Sequence, residues 1–242
     1  MDFKERYYPE CRFGGLTAVD GTVAFYVRVN SLVTASSVVL DVGCGRGAYA
    51  DDPVAFRRSL RIAKGKCRTV IGIDVDRGAA QNPFLDEFRL IESAKWPLSD
   101  QCVDLCICDH VLEHIGDPSG FFGECARVLR PGGYLCIRTP NLCSYFGVIS
   151  RLIPNRCHSK VAARVQNGRK SDDVFPVLYR CNTLSTIRRM LTGHGFEHCV
   201  FGHEAEPSYL SFSRALYWLA VLHQRFAPGF SKVTLFAFAR KL

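Results

Sequence analysis

Ser37-Val38-Val39-Leu40-Asp41-Val42-Gly43-Cys44-Gly45-Arg46-Gly47 decides the fold. Its first six residues are nearly all apolar, as in a strand buried on both faces of a sheet. Its last five hold three glycines, which let the backbone turn tightly and lie close against a ligand. A helix opening after such a loop aims its N-terminus at anionic groups. Outward from this stretch the unit repeats. Residues 69–74 read as a second buried strand, 89–91 as a brief third, 103–108 as a fourth, 134–138 as a fifth, 196–201 as a sixth and 232–239 as the last.

Helical patterns fall between them. Asp20-Gly21-Thr22 caps a helix through Val33, and another follows Pro53 over 54–63. Asp117 and Pro118 open a helix carrying Phe121, Phe122, Cys125, Ala126, Val128 and Leu129 inward, with Pro131-Gly132-Gly133 as its stop. A further helix over 183–191 closes at Gly193-His194-Gly195, and a very apolar one spans 210–226. Strands alternating with helices at this spacing predict an α/β fold, a doubly wound, mostly parallel sheet with right-handed crossovers and helices on both faces. Residues 1–19 read as an irregular arm broken by Pro9 and Gly14-Gly15. Residues 141–181 lack periodicity and read as a lid or binding segment.

Composition narrows the class. With 242 residues, 48% of them hydrophobic, the chain suits one large domain and excludes disordered and collagen-like classes. The division expected is an arm and helix over 1–35, a core over 36–140, the 141–181 segment, and the rest of the sheet over 182–242. No run approaches the about 18–20 apolar residues of a membrane span. The first residues lack a signal-peptide core, so a cytoplasmic protein is expected. None of the twelve cysteines forms a CxxC pair, which points to reduced thiols. The net charge of +8 is uneven: residues 1–121 carry 14 Lys/Arg against 17 Asp/Glu, and residues 122–242 carry 17 against 6. A basic half of this kind is either a solvated face or a surface for an anionic partner.

The glycine loop alone is a weak signal, since Gly43, Gly45 and Ala48 also satisfy the dinucleotide fingerprint. Two features oppose a nicotinamide cofactor. Asp41 would face a diphosphate unfavourably and suits a cation such as an amino acid's ammonium group, and Gly47 comes one residue early. Asp74, closing the second strand, can accept both hydroxyls of a ribose. Asp41, the glycines and Asp74 together describe a ligand with an amino-acid end, a sugar and a base.

Residues 39–47, Ile73-Asp74, Trp96-Pro97-Leu98-Ser99-Asp100 with Val103-Asp104, Val111-Leu112-Glu113-His114 and residues 128–133 occur in this order. Over about residues 36–140 the chain resembles the class I S-adenosylmethionine-dependent methyltransferases of the small-molecule type. Thr139-Pro140-Asn141, residues 149–154 and residues 175–182 more weakly resemble a subset associated with cell-surface glycan gene clusters. The resemblance implies a Rossmann-like seven-stranded sheet whose last strand is inserted antiparallel, and S-adenosyl-L-methionine as cofactor. Asp41 with Gly43, Cys44, Gly45 and Gly47 would hold its methionine part, Asp74 the ribose, and Val75 the adenine face. Glu92, where Asp is more usual, would accept from the adenine amino group with Ser93 beside it. Asp109 and His110 would leave the fourth strand next to the methyl group.

Methyl transfer needs alignment, exclusion of water and, for a hydroxyl acceptor, a base. His110, His114 and Asp109 are the candidates, the histidines favoured by their ordinary pKa. His114 also reads as a packing or capping residue. His110-x-x-Glu113-His114 spells a zinc-peptidase pattern as well, but its place after a buried parallel strand in a nucleoside-binding order argues against a metal. Substrate contacts are expected in 141–181, from Tyr145, Phe146, His158, Phe175, Tyr179 and Arg180. Their aromatic and basic character suits a small-molecule or glycan acceptor, an anionic one carried on a nucleotide or lipid pyrophosphate included. Nucleic acid matches the charge, but no RNA-binding module is recognisable. The 210–226 helix either covers the sheet or rests on a membrane surface at the inner face. Two rivals stay open: a non-catalytic nucleoside-binding scaffold and a nicotinamide-dependent oxidoreductase.

Overall fold

The computed structural model describes residues 3–145, 147 and 176–242. Their strands are β1 Val38–Val42, β2 Thr69–Asp74, β3 Glu87–Leu90, β4 Val103–Asp109, β5 Leu129–Pro140, β6 Phe196–His203 and β7 Thr234–Lys241. They form one sheet in the order β3-β2-β1-β4-β5-β7-β6. Strands β1 to β5 pair in parallel, and β7 runs antiparallel between β5 and β6. The chain winds outward one way through β2 and β3 and the other way from β4. The reversal lies between β1 and β4, and in open α/β sheets ligands bind outside the carboxyl ends of the strands at that point.

The helices are α1 Phe3–Tyr7, α2 Gly21–Leu32, α3 Ala55–Arg61, α4 Pro118–Val128, α5 Leu184–Gly193 and α6 Arg214–Phe226. Side chains alternate across each strand, and two cores follow from that. Val38, Leu40 and Val42 of β1, Cys106 and Cys108 of β4, and Leu135 and Ile137 of β5 face α4 and α5 through Phe121, Phe122, Cys125, Ile187 and Leu191. Val39, Leu105, Ile107, Cys136 and Phe236 face the other way, onto Phe25, Tyr26 and Val29 of α2. Each fully buried aromatic contributes roughly 1.5–3 kcal/mol through removal from water. Asp20 caps α2, its Oδ1 accepting from Thr22 N at 3.0 Å and Val23 N at 2.9 Å.

Several boundaries differ from the sequence expectation. The arm is not irregular throughout, since it holds α1 and a 3-10 turn over Pro9–Arg12. The glycine loop opens only a one-turn 3-10 helix, Ala48–Asp51, so no long helix aims its N-terminus at the loop. Helix α4 ends at Val128, and Pro131-Gly132-Gly133 lies inside β5. The residue before a proline avoids helical backbone, which pulls Leu129 and Arg130 into extended structure. Asp117 precedes α4 without a side-chain cap bond. Helix α6 packs Tyr217 and Val221 on Phe3, Tyr7, Tyr8 and Val19 of the arm rather than over the sheet. No described helix is long and apolar enough to cross a membrane, and no described cysteine is disulfide-bonded.

Candidate functional site

Strand β1 delivers Asp41 and then the loop. The amides of Gly43 and Cys44 both donate to Ile73 O of β2, at 2.8 and 3.3 Å, and strap the loop to the sheet. Gly43 has φ +64, and a Cβ there would stand 2.5 Å from Val111 Cγ2. Only glycine takes this turn without strain. Buried Asn82 fastens the loop from below: its Nδ2 donates to Cys44 O at 3.0 Å and Gly45 O at 3.2 Å. The Cys44 side chain points away, into an apolar cluster with Val70, Ala79 and Leu85. Burial, with Asp41 and Asp74 nearby, pushes its thiol well up, so it contributes backbone rather than sulfur chemistry.

Asp74 ends β2, is buried, and pairs with no cation among the described residues. Its Oδ2 accepts from Gly45 N and its Oδ1 from Asp76 N, both at 2.9 Å. Asp41 goes further: among the described residues its carboxylate accepts no hydrogen bond and makes no ion pair. Burial raises its pKa to about 7, the negative charges of Asp109 and Asp74 add to that, and Arg61 opposes them.

Asp41, Asp109 and Arg138 follow Val39, Ile107 and Cys136 by two residues on adjacent strands, so all three face α2 at the strands' carboxyl ends. Asp109 and Arg138 are register partners. Arg138 Nε donates to Asp109 Oδ1 at 2.6 Å, Arg138 Nη2 to Oδ2 at 2.7 Å, and Tyr26 Oη to Oδ2 at 2.9 Å. Arg138 also reaches Thr22 Oγ1 at 2.8 Å and lies over the Phe25 and Tyr26 rings. Burial opposes the Asp109 charge, but Arg138, with His110 and Arg61 adding, holds its carboxyl well below the usual range. Asp109 is therefore not the base expected of it: its lone pairs are engaged and its proton affinity is low.

Arg61 of α3 stacks over Tyr49 at 4.6 Å and Tyr26 at 5.7 Å, with Nη2 3.4 Å from Asp109 Oδ2. Its buried Nε finds no partner among the described residues. Tyr26, Asp41, Tyr49, Arg61 and Phe84 close around a void of only about 10 Å³. That void as it stands is too small to hold a ligand.

His110 takes φ +59, with its amide donating to Arg138 O at 2.8 Å and its Nδ1 3.3 Å from Glu113 Oε1. Glu113 is buried, and its Oε2 accepts from Thr139 Oγ1 at 3.0 Å. Asn182 Nδ2 donates in turn to Thr139 Oγ1 at 2.6 Å. His110 lines a cleft of about 240 Å³ together with Thr22, Arg57, Arg138, Ser208 and Thr234. His114 is turned elsewhere, its Nδ1 2.9 Å from Pro176 O. Leu112–His114 is a single 3-10 turn behind a left-handed residue, so the two histidines do not share a helix face. No group of three His, Cys, Asp or Glu among the described residues could hold a metal ion.

The remaining expected residues scatter. Val75 is exposed; the amide of Ile91 donates to Asp74 O at 2.8 Å, which sets Glu92 one residue beyond. Glu92 is exposed and pairs with Arg77 at 3.3 Å, and Ser93 Oγ donates to Lys95 O. Tyr179 approaches His110 indirectly, its amide donating to Glu113 O at 3.1 Å. Arg180 stands exposed. Tyr145 bonds Tyr209, next to cleft residue Ser208, and packs on His223. Phe146, His158 and Phe175 lie outside the described residues. Arg61, Tyr26, Asn82 and Arg138 were not singled out from sequence, and Glu113 entered only within the Val111–His114 motif and the zinc-peptidase pattern. Arg138 carried a signal, a charge inside a buried strand. Arg61, in Phe56-Arg57-Arg58-Ser59-Leu60-Arg61, lies in a stretch read only as a helix over 54–63.

Residues 40–137 match a family described as a methyltransferase domain. A Mycolicibacterium smegmatis protein named "probable S-adenosylmethionine-dependent methyltransferase" is 38% identical over 108 residues, 43% of this chain and 38% of that protein. A ubiquinone biosynthesis O-methyltransferase of Rhizobium rhizogenes is 29% identical over 103 residues, 43% of this chain and 41% of that one. The matched stretch thus spans about two-fifths of these relatives' own length. Among solved structures, a S-adenosylmethionine-dependent methyltransferase of Methanosarcina mazei is similar with TM-score 0.55 and 20% identity, over 89% of this chain and 97% of that one. The YcgJ protein of Bacillus subtilis is similar with TM-score 0.55 and 14% identity, over 91% and 97%. At such identities these likenesses show the fold.

Proposed function

We propose that the chain is a class I S-adenosylmethionine-dependent methyltransferase, on its likeness over residues 40–137 to a methyltransferase domain, and that it methylates a hydroxyl of a small-molecule or glycan-type acceptor. The observation that carries the reading is the Asp41 carboxylate, without a partner among the described residues, beside the glycine loop and one strand from Asp74. A half-buried carboxylate left unpaired in a desolvated setting is costly unless a cation completes it. The ammonium end of S-adenosylmethionine is such a cation. Arg61, with its unpartnered Nε, matches the carboxylate of the same amino-acid end once it leaves Tyr49. Asp74 would accept the ribose hydroxyls, and Val75 and Glu92 would flank the adenine.

When bound, S-adenosylmethionine supplies a methyl group on a sulfonium that is its own leaving group. The protein's residues do the rest. The Asp109–Arg138 pair, pinned by Tyr26 and Thr22, fixes the wall between the two cavities. His110 lines the cleft with its Nε2 3.9 Å from Asp109 Oδ1, and there it would take the proton of a hydroxyl acceptor. Glu113 on Nδ1 favours the tautomer whose Nε2 carries the lone pair. The cleft's Thr22, Ser208 and Thr234 hydroxyls suit a polyhydroxylated acceptor. The test is transfer of tritium from methyl-labelled S-adenosylmethionine into an extractable product in lysate. Incorporation that drops at least 100-fold with His110→Ala supports the reading. Tight S-adenosylhomocysteine binding with no incorporation at all would leave a nucleoside-binding scaffold.

A further inference from the structure

Helix α6 turns an apolar face outward. At 100° per residue, its buried Tyr217, Ala220 and Val221 define the inward side, against the arm. The opposite side holds Ala215, Leu219, Leu222 and Phe226, where a surface helix ordinarily carries charge. Leu219 is 52% exposed and Phe226 80%. Trp218, 48% exposed, borders this face, and Phe212 before the helix and Phe230 after it are 70% and 63% exposed. A patch of this kind on a surface marks a contact.

Charge identifies the occupant. Residues 207–232 hold Arg214, Arg225 and Lys232 and no acidic residue, whereas Arg240 and Lys241 lie at the far end of β7, bonded to Gly132 O and Leu129 O. Arg214 and Arg225 stand on the flank of the helix that carries Trp218. The two preceding acids are consumed internally, Glu204 by His223 at 2.9 Å and Glu206 by Lys4 and Thr17. An outward apolar stripe, an edge tryptophan and basic flanks are the pattern of a helix lying in the plane of a lipid headgroup region. At 13 residues α6 is too short to span a bilayer.

We propose that the outward face of α6 docks on an anionic membrane surface. The 3-10 turn Ser208–Leu210 leads into α6, and Ser208 lines the cleft beside His110, so docking holds that cleft near the lipid headgroups. The proposal does not depend on methyl transfer.

The full chain is mixed with phosphatidylcholine vesicles and with vesicles containing about one-third phosphatidylglycerol, and binding is read by co-sedimentation. The fluorescence of Trp218 is taken as the difference from Trp218→Phe. Expected are at least tenfold stronger binding to the anionic vesicles, weakening with salt, and a blue shift with loss of acrylamide quenching. The surface variant Leu219→Glu/Phe226→Glu should lose at least tenfold in vesicle affinity, with its thermal midpoint and S-adenosylhomocysteine affinity unchanged. Absence of vesicle binding, or binding indifferent to those two substitutions, overturns the proposal. So does a Trp218 already shielded from acrylamide in vesicle-free protein, which means the chain covers its own face. A concentration-dependent dimer abolished by the same variant assigns the face to a second copy and overturns it too.

Discussion

Replacing Asp41 by Asn separates two consequences of one unpartnered carboxyl. Burial first, then Asp109 and Asp74, raise its pKa to about 7 against the ordinary 3.8, with Arg61 opposing. That gap corresponds to roughly 4 kcal/mol disfavouring the charged form, a ceiling on the effect. The sign follows from proton counts: between these two values the folded chain binds more protons than the unfolded one, so stability falls as pH rises and levels off above about 7. Asp41→Asn removes the penalty, and the ligand-free protein at neutral pH should resist urea more strongly, by up to that amount. A cationic ligand reverses the preference, because it needs the carboxylate charged. Below about 7 binding must release a proton, and affinity should fall about tenfold per pH unit, about 30-fold by roughly pH 5.5. Calorimetry of S-adenosylmethionine in buffers of different ionisation enthalpy counts that proton directly. Asp41→Asn should bind more weakly with no proton release. PH-independent binding with no proton release by the unmodified protein, or an Asn variant that binds as well while being less stable, would refute the reasoning.

Asp74→Ala should weaken S-adenosylhomocysteine by about 10-fold or more through lost hydrogen bonds to the ribose, with adenosine weakened in parallel, as read by calorimetry. Arg61→Gln should weaken S-adenosylhomocysteine about tenfold and leave adenosine unchanged, which distinguishes an amino-acid contact from a general disturbance of the pocket. Arg138→Met leaves Asp109 buried without its counterion and should cost about 3–5 kcal/mol in urea unfolding. Because the Asp109 carboxyl is held low, its contribution is present above the ordinary carboxyl range and lost as pH falls, so the Met variant should show a flatter acid limb.

The sheet was legible because its signal is redundant. The 37–42 run, the glycines after it and the second run ending at Asp74 each require a buried parallel strand and a tight turn, and the structure supplies both. Boundaries were less legible where two local preferences compete. Gly132 and Gly133 read as a helix stop, but Pro131 pulls the preceding residues into β5, and the glycines sit within the strand. Asp109 was read by its place at the end of the fourth strand, beside the expected methyl group, whereas its chemistry is set by Arg138, a cross-strand partner 29 residues away that no local pattern pairs with it. The same holds for Arg61, which no pattern in the 54–63 helix sets apart until the fold brings it between Tyr26 and Tyr49. For α6 the apolar run was legible but not the surface it meets, which is the N-terminal arm.

The most direct measurement is the structure of this chain crystallised with S-adenosylhomocysteine. The account predicts the nucleoside against Gly43–Gly47 with its ribose on Asp74, its ammonium on Asp41, and Arg61 withdrawn from Tyr49. A nucleoside bound away from β1 and β2, or Asp41 still without a cation while the ligand is present, would contradict it.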